Sequence, residues 1–451
     1  MVTTAEQNRR LTEVGPGTPM GNLLRRHWQP IAAESEFGER STKAVRLLGE
    51  DWVLYRTTSG RFGLIQPHCL HRRAGLVNGY PEDDGIRCSY HGWRYALDGR
   101  CVQRPFEEVA AATSRQLDLC AVAHRAEARH GLVWAYLGPE PAPLIPNWEP
   151  FTYPNCFRQI LFHEVECNWL QCQENAIDPV HFEWLHNNWR AGREGRSGDY
   201  SPAHIELGFE EWEHGFVYRR LHEGEDRTSD AWTNGRLCIV PNLFAPLHFE
   251  WRVPIDDHHT LSVVWVFERV PAEREPYEQD VIPHWWGRTH DDAGEPLTSH
   301  VLHQDVLSWT GQGRITDRTA EHLGRSDRGV LLLRRRLEAD MAAVERGEDP
   351  SGLVRDPARN ECIAFPNDLR GQFLVPPTVE QVRQRVANLH RILPALPEGD
   401  NFFLMAGQPE HVRHEWEYAM GLRDNRPDAR DWGQNTRPTT IPSPISGDGH
   451  G

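Results

Sequence analysis

The chain has 451 residues, of which 39% are apolar and 25% charged, and its 65 acidic side chains outnumber 49 basic ones to give a formal net charge of −16. This length exceeds what one core can organise and predicts two domains of about 100–300 residues each. The acidic balance argues against a nucleic-acid or anionic-membrane partner, and no run approaches the ~20 apolar residues of a spanning helix, so we expect a cytoplasmic protein.

The first part of the chain predicts short helices followed by strands. Residues 1–27 contain a polar helical stretch, a Gly/Pro turn and a second helical start. Strand-like runs separated by turn signals follow, namely WQPIAAE, KAVRLLGEDWVLYRT, RFGLIQPHC and, further on, GLVWAYLG. Residues 28–140 therefore predict a small all-β domain.

A pair of Cys/His hooks lies inside this domain. Cys69-x-His71 is followed sixteen residues later by Cys88-x-x-His91. A zinc staple uses the same ligand types, but classical zinc fingers place both cysteines in one hook and both histidines in the other. One cysteine and one histidine in each hook suit a two-iron cluster, in which one iron takes both thiolates and the other both imidazoles. The presence of one cysteine and one histidine in each hook favours a redox centre over a structural zinc site.

A second domain is predicted to follow a proline-rich linker. The segment GPEPAPLIPNWEP at 138–150 holds five prolines and cannot continue a helix or a central strand. Strand-like runs such as AHIELGFEEW, GFVYRRLHE and HTLSVVWVFERV then give way to helical patterns at 299–310, 320–347 and 378–393. Strands followed by helices predict an α+β domain over 150–430, and the Pro/Gly/Ser-rich tail 431–451 predicts disorder.

A second group of potential metal ligands lies near the start of this domain. ENAIDPVHFEWLH presents Asp178, His181 and His186. Two histidines and a carboxylate form the facial triad of non-haem Fe(II) oxygenases, whereas the alternative is an ordinary polar helix face. On a straight α-helix the two histidines would lie about 140° apart, too far to share a metal. A shared metal therefore requires an irregular helix, for which Pro179 gives a reason.

The two motifs carry a family resemblance. CLHRRAGLVNG…GIRCSYHGWRY resembles the Rieske motif of ring-hydroxylating and O-demethylating non-haem iron oxygenases, with Leu70 where many members have proline. LTEVGPGTPMGNLLRRHWQPIA, AVRLLGEDWVLYR and CNWLQCQENAIDPVHFEWLH resemble the branch of phthalate 4,5-dioxygenases and 5,5'-dehydrodivanillate O-demethylases. The resemblance implies an all-β Rieske domain and an α+β, helix-grip-like catalytic domain.

The resemblance also implies the site residues. Cys69, His71, Cys88 and His91 would hold a Rieske [2Fe–2S] cluster, and His181, His186 and Asp305 a mononuclear Fe(II). Asp317, Glu321 and Asp327 compete with Asp305 for the role of carboxylate ligand. Asp178 would act in catalysis by bridging His181 of one chain and His91 of the next within a head-to-tail trimer.

The implied protein is a terminal oxygenase. Electrons would pass from NAD(P)H through a separate reductase or ferredoxin to the cluster and then to the iron, where O2 is activated beside an aromatic acid. O-demethylation of a lignin-derived methoxylated acid is favoured, with cis-dihydroxylation of a phthalate-type acid as the alternative and trimers or stacked trimers as the assembly. A Rieske electron carrier and a zinc-stabilised binding protein remain hypotheses from other classes.

The substrate-binding residues stay open at this stage. Arginines suit an aromatic carboxylate because their guanidinium groups pair with it through two hydrogen bonds. Seven arginines of the second domain are candidates: Arg190, Arg193, Arg196, Arg219, Arg220, Arg236 and Arg252.

Overall fold

The computed structural model of the protein describes residues 3–38, 41–105, 118–193, 195–196, 198, 200, 202–367, 369–392, 405 and 407–427. These residues form two compact units, one within 25–142 and the other combining the residues before 25 with those from 143 onward. The tail 431–451 lies outside the described residues.

The unit within 25–142 is built from strands. They are β1 Gln29–Ala33, β2 Thr42–Leu47, β3 Glu50–Arg56, β4 Phe62–Ile65, β5 Tyr80–Pro81, β6 Gly85–Arg87, β7 Arg94–Ala96, β8 Cys101–Gln103, β9 Ala123–Arg129 and β10 Leu132–Tyr136. One antiparallel sheet has the order β1-β10-β9-β4-β3-β2, and a smaller one the order β5-β6-β7-β8. A shared core that includes Val53, Ile65 and Tyr95 also contains both hook cysteines.

The other unit contains one large sheet. Its strands are β11 Cys156–Val165, β12 His204–Trp212, β13 Gly215–His222, β14 Arg236–Ile239, β15 Leu243–Ala245, β16 Phe249–Asp256, β17 His259–Arg269 and β18 His284–Trp286. Their order is β12-β13-β14-β15-β16-β17-β11-β18. The long strands β11, β16 and β17 are buried along most of their length. β17 carries a continuous apolar run, whereas β16 also buries the charged side chains Glu250 and Arg252.

Helices flank this sheet. They are α1 Ala5–Thr12, α2 Pro19–Arg25, α3 Trp169–Asn175, α4 Trp189–Arg193, α5 Asp230–Thr233, α6 Val301–Gly311, α7 Arg328–Glu345, α8 Leu369–Phe373, α9 Val379–Ile392 and α10 Glu410–Ala419, with a π-helix at Phe182–Asn188. Val382 and Trp416 bring α9 and α10 into a core with Phe157 and Leu161 of β11. Among the described residues, no helix combines the length and apolarity needed to cross a bilayer.

The fold class predicted from the sequence is confirmed, with local differences. The described structure pairs an all-β unit with a larger α+β unit. The helix predicted to begin at 320 begins instead at Arg328. The preceding residues form turns, because the Asp327 carboxylate accepts the Gly324 N–H and the Asp317 carboxylate accepts the Thr319 N–H. Such local side-chain bonds compete with helix formation.

A buried ion network holds α3 in place. The Glu174 carboxylate accepts from Arg318 at 2.7 Å and from Arg334 of α7 at 2.6 Å. Burial alone would raise the pKa of Glu174, but the two guanidinium groups outweigh it and hold the pKa below its ordinary value. The network therefore stabilises the α3 end that leads into the Asp178–His186 segment.

Arg318→Ala is expected to destabilise the larger unit by about 3–5 kcal/mol, because it leaves the buried Glu174 charge undercompensated. Denaturant unfolding of the variant measures this loss. Arg346→Ala, which removes an exposed ion pair with Glu348, is the matched control and should leave stability unchanged.

The pH dependence of the unfolding free energy gives a second test of the buried Glu174 charge. Because the folded pKa of Glu174 is depressed, its contribution is complete above the ordinary carboxyl pKa and is lost as the pH falls through that region. The difference between wild type and Arg318→Ala should shrink on acidification, and a constant difference would contradict this assignment.

Candidate metal centres

The two Cys/His hooks are tight loops between strands of the smaller unit. Cys69 N–H donates to Ala74 O at 2.9 Å, and Cys88 N–H donates to Trp93 O at 2.8 Å. Gly92 turns the second loop with φ +73°, a conformation that favours glycine. Both cysteines are buried, whereas His71 and His91 are exposed at the loop tips.

The four candidate ligands are arranged as two pairs. The rings of His71 and His91 lie 4.5 Å apart between centroids, and burial together with the adjacent Cys69 sulfur raises the pKa of the Cys88 thiol. Within the described chain, the only groups of three or more potential ligands whose atoms all lie within 4.8 Å of one another are His181/His186/Asp305 and Glu183/His204/His222. One tetrahedral zinc would hold its ligand atoms closer than this, so the hooks fit a two-iron cluster better than a zinc staple.

Tyr95 extends the first hook. Its hydroxyl lies 3.1 Å from Cys69 Sγ and accepts the Leu70 N–H at 3.0 Å. If Cys69 is a thiolate, as a cluster ligand would be, its sulfur can only accept, and the Tyr95 hydroxyl then donates to it. A proline at position 70 has no N–H to donate, so Leu70 gains a contact that the resembling family's proline cannot make.

The second motif lies on the π-helix Phe182–Asn188, which His181 immediately precedes. A π-helix forms i→i+5 hydrogen bonds, so residues five apart approach one another along its length. The His181 and His186 ring centroids lie 5.4 Å apart. The irregular helix that a shared metal requires is thus present.

Asp305 of α6 completes this group. Its Oδ1 lies 3.5 Å from His186 Nε2 and 3.8 Å from His181 Nε2. His186 Nδ1–H donates to Gln304 Oε1 at 2.8 Å, and Gln304 is oriented by its own bond to Thr298 O at 3.0 Å. In the neutral imidazole, His186 Nε2 then carries a lone pair, so it and the ionised Asp305 oxygen face each other as acceptors. A cation between them resolves this arrangement, and the residues present fit a mononuclear iron.

The remaining carboxylates have other contacts. Asp178 Oδ2 lies 3.6 Å from His181 Nδ1, on the side opposite the Asp305 contact, and its side chain is 32% exposed. Of the three competitors, Asp317 and Asp327 accept backbone N–H groups and Glu321 pairs with Arg334. The structure therefore brings Asp305, and none of these three, to the histidine pair.

A cavity of about 570 Å³ opens on this triad. Arg252 and Glu250 line it as an ion pair at 2.7 Å, and Glu268 and Arg385 form a second pair. Although burial opposes ionisation, Arg252 and His248 lower the pKa of Glu250 to about 2, so the first pair stays charged and mutually neutral. Burial raises the pKa of Tyr218, another lining residue, to about 12 and keeps its phenol a hydrogen-bond donor.

Arg236 lines this cavity without an ion-pair partner among the described residues. It donates to the Gly235 carbonyl at 3.1 Å and lies over the Phe182 ring at 5.7 Å. Arg219 instead binds the Trp232 and Thr233 carbonyls, and Arg220 contacts Glu183 and Phe182. The side chains of Arg190 and Arg193 lie outside the described part, and Arg196 is exposed.

Sequence reasoning missed the supporting residues Gln304, Tyr95 and Asn175, the last of which donates to Asp305 Oδ1 at 3.2 Å. Gln304 directly precedes Asp305 in sequence, but nothing in the sequence pairs it with His186. Asn175 lies at the end of α3, three residues before Asp178. These contacts join elements far apart in the chain and leave no local pattern.

Comparison with known proteins identifies the class. Residues 27–114 match the family model of the Rieske [2Fe–2S] domain. The 5,5'-dehydrodivanillate O-demethylase oxygenase subunit of Sphingobium sp. (strain NBRC 103272 / SYK-6) is 48% identical over 94% of this chain and 98% of its own length. The phthalate 4,5-dioxygenase oxygenase subunit of Pseudomonas putida is 29% identical over 80% of this chain and 91% of its own length. The chain belongs to the Rieske non-haem iron oxygenases.

Its place in that family follows directly. It is an oxygenase component of the branch that includes those two relatives, and the family's Rieske cluster, mononuclear iron and separate reductase apply to it. The structure of NdmA from Pseudomonas putida CBB5 shares the fold, with a TM-score of 0.53 at 18% identity over 73% of this chain and 94% of that one.

Tyr95→Phe is expected to lower the reduction potential of the cluster by roughly 50–100 mV, because a hydrogen bond to a charged acceptor is worth about 1.5–3 kcal/mol and the hydroxyl points at Cys69. Redox titration followed by circular dichroism measures the shift. Tyr80→Phe changes an exposed tyrosine of the same unit and should leave the potential unchanged. Equal potentials in wild type and Tyr95→Phe would contradict the assignment of Cys69 as a ligand.

Proposed function

We propose that the protein is the terminal oxygenase of an O-demethylase for a methoxylated aromatic carboxylate. The observation that carries the proposal is the cavity beside His181, His186 and Asp305, in which Arg236 has no ion-pair partner among the described residues. A half-buried guanidinium without an ion-pair partner favours an anionic ligand, which it can bind through two hydrogen bonds. The printed activity of the 48% identical relative supports the methoxy group as the point of attack.

The proposal assigns the ligands residue by residue. Cys69 and Cys88 hold one iron of the cluster and His71 and His91 the other, while His181, His186 and Asp305 hold the mononuclear iron. When bound, that iron supplies O2 activation. Gln304 holds the His186 ring in the tautomer that leaves Nε2 free for metal, and Asn175 holds the Asp305 carboxylate.

The reaction is balanced with electrons from the reductase. An aryl methyl ether, O2, two electrons and two protons give the hydroxymethyl ether and water, with one oxygen atom in each product. The hydroxymethyl ether then breaks its methylene C–O bond and releases a phenol and formaldehyde. The cavity contributes by fixing the carboxylate end at Arg236, so that the methoxy end faces the triad.

The size of the cavity supports a substrate with two aromatic rings. A second, largely apolar cavity of about 650 Å³ shares Leu247, Phe267, Glu268 and Arg385 with the first. Each volume lies in the range of sites that bury one drug-sized ligand. Phe267 and Phe365 add aromatic surface along the second cavity. A biaryl acid can therefore place one ring beside the triad and the other in the second chamber.

Electron entry belongs to the same proposal. Residues 28–140 form the Rieske domain and 150–430 the catalytic domain, and a cytoplasmic reductase or ferredoxin docks on the former. Asp178 carries exposed carboxylate surface beside His181, which supports its use as a bridge to His91 of the next chain in a head-to-tail trimer. The carboxylate would orient both imidazoles and couple the two metal centres.

Product analysis tests the activity. Purified protein with a reductase, NADH and a panel of methoxylated mono- and biaryl acids should form one formaldehyde per O2 consumed. A cis-diol from phthalate without formaldehyde would replace the O-demethylase assignment by ring dihydroxylation. About three irons and two acid-labile sulfides per chain are expected, whereas two irons would indicate an electron carrier and zinc alone a binding protein.

Arg236→Met is expected to raise KM for the acid roughly 10–100-fold and to lower kcat as well, because a hydrogen-bonded charge pair contributes about 1.5–3 kcal/mol of binding and also positions the methoxy group. Steady-state formaldehyde release measures both constants. The methyl ester of the same substrate should show little difference between variant and wild type. Arg227→Met, at an exposed arginine paired with Glu206, is the control.

Asp178→Asn is expected to lower turnover by about 10–100-fold or more while both metal centres keep their iron, because the amide cannot replace the carboxylate that orients His181. Single-turnover oxidation of the pre-reduced cluster reports the electron transfer directly. Asp317→Asn is matched, since Asp317 accepts a backbone N–H two residues ahead as Asp178 does. Unchanged cluster oxidation in Asp178→Asn would contradict the bridging role.

A further inference from the structure

A second group of potential metal ligands lies beside the iron-binding segment. Glu183 belongs to the π-helix, whereas His204 and His222 stand directly opposite each other on the neighbouring strands β12 and β13. Glu183 Oε2 lies 2.8 Å from His204 Nε2, and Glu183 Oε1 lies 3.2 Å from His222 Nε2. All three residues offer a ligand atom, and these atoms lie within 4.8 Å of one another.

The close approaches in this group are not hydrogen bonds. Glu183 Oε2, His204 Nε2 and His222 Nε2 are buried and have no hydrogen-bond partner of acceptable geometry, although they lie at contact distance. The Glu183 side chain is only 9% exposed. Buried polar atoms that converge without bonding one another lose solvation and gain nothing in return. A cation held by all three supplies the missing interaction.

The protonation of His222 points to the same conclusion. Its Nδ1–H donates to Glu225 Oε2 at 2.8 Å, and its backbone N–H donates to the same oxygen at 3.2 Å. In the neutral ring Nε2 then carries a lone pair, which faces the Glu183 oxygen as acceptor to acceptor. A carboxylate behind a ligating imidazole is the usual arrangement of metal-bound histidines. The Glu225–His222 pair therefore has the form of a metal ligand with its supporting carboxylate.

Arg220 is the charge that competes with a metal here. Its Nη1 lies 3.5 Å from Glu183 Oε1, without hydrogen-bond geometry, and its guanidinium lies over the Phe182 ring at 4.2 Å. With neutral imidazoles, Glu183, Glu225 and Arg220 sum to −1, and a divalent cation brings this group to +1. Arg220 approaches Glu183 Oε1, whereas Oε2 faces His204, so one carboxylate oxygen is left for a metal.

We propose that Glu183, His204 and His222 form a second metal site, separate from the iron triad, that binds one Zn²⁺ and ties the π-helix to strands β12 and β13. Two imidazoles and one carboxylate are an established zinc ligand set that leaves a fourth position for water. Glu183 and His204 also line a surface cavity of about 940 Å³, which gives the ion an entry path and room for that water. The site does not depend on the identity of the organic substrate.

Zinc binding to the iron-loaded protein tests the proposal. Titration against a chromophoric chelator, with metal analysis of the complex, should give about one Zn²⁺ per chain with a Kd below about 1 µM and no loss of iron. X-ray absorption at the zinc edge should show two imidazoles. Zinc should also raise the unfolding temperature, because it binds the folded chain.

Variants locate the ion. His204→Ala and His222→Ala should each weaken binding by more than about 100-fold, and Glu225→Gln, which keeps every ligand, by about 10–100-fold. His258→Ala, at an exposed histidine outside the group, is the control. Glu225→Gln keeps the test valid if either alanine variant misfolds, since it leaves the buried contacts of Glu183 in place.

Two results would overturn the proposal. If zinc binding persists in His222→Ala but disappears in Asp305→Ala, the ion occupies the iron triad instead. If no zinc binds to iron-loaded protein, Glu183 serves only as the counter-ion of Arg220. Neither result bears on formaldehyde release, so failure here is distinguishable from failure of the proposed activity.

Discussion

The wide turn of the π-helix at Phe182–Asn188 is the constraint on which the candidate iron site depends. A regular α-helix would carry the five-residue spacing of His181 and His186 to different sides. The i→i+5 pattern instead leaves their rings 5.4 Å apart, where one carboxylate of α6 reaches both. This turn is locally unfavourable, since π-helical segments are rare and occur mostly at functional sites. Its cost must be offset by contacts with neighbouring elements.

One of those contacts is the hydrogen bond between His186 and Gln304. Gln304 holds the proton on His186 Nδ1, and the Tyr95 hydroxyl lies against Cys69 Sγ. In the first contact a neutral side chain decides which imidazole nitrogen is free to bind a metal. Two ion pairs neutralise most of the charge around the cavity, Arg252 with Glu250 and Arg385 with Glu268. Arg236 is left without an ion-pair partner among the described residues.

The sequence predicted the elements with strong local patterns and missed those defined by distant contacts. Cys69, His71, Cys88 and His91 were predicted as cluster ligands because two loops with mixed ligands form a local pattern, and strand β17 because its apolar run is long. The start of α7 was wrong because Asp317 and Asp327 bond their own backbone, which periodicity does not register. Seven arginines were equal candidates in the sequence, and the structure separates Arg236 from Arg219, Arg220 and Arg252, whose side chains have partners.

Asp305 shows most clearly what the sequence alone could not determine. Residue types alone ranked it level with Asp317, Glu321 and Asp327, and only the family resemblance favoured it. In the structure it lies on a helix that begins after a capping bond from Leu302 N–H to His300, and this start sets which side chains of α6 face the π-helix. Gln304 and Asp305 are adjacent, yet one bonds the far nitrogen of His186 and the other approaches its near nitrogen. One imidazole thus sets the register of both elements, and a shift of α6 by a single residue would separate the proton acceptor from the carboxylate.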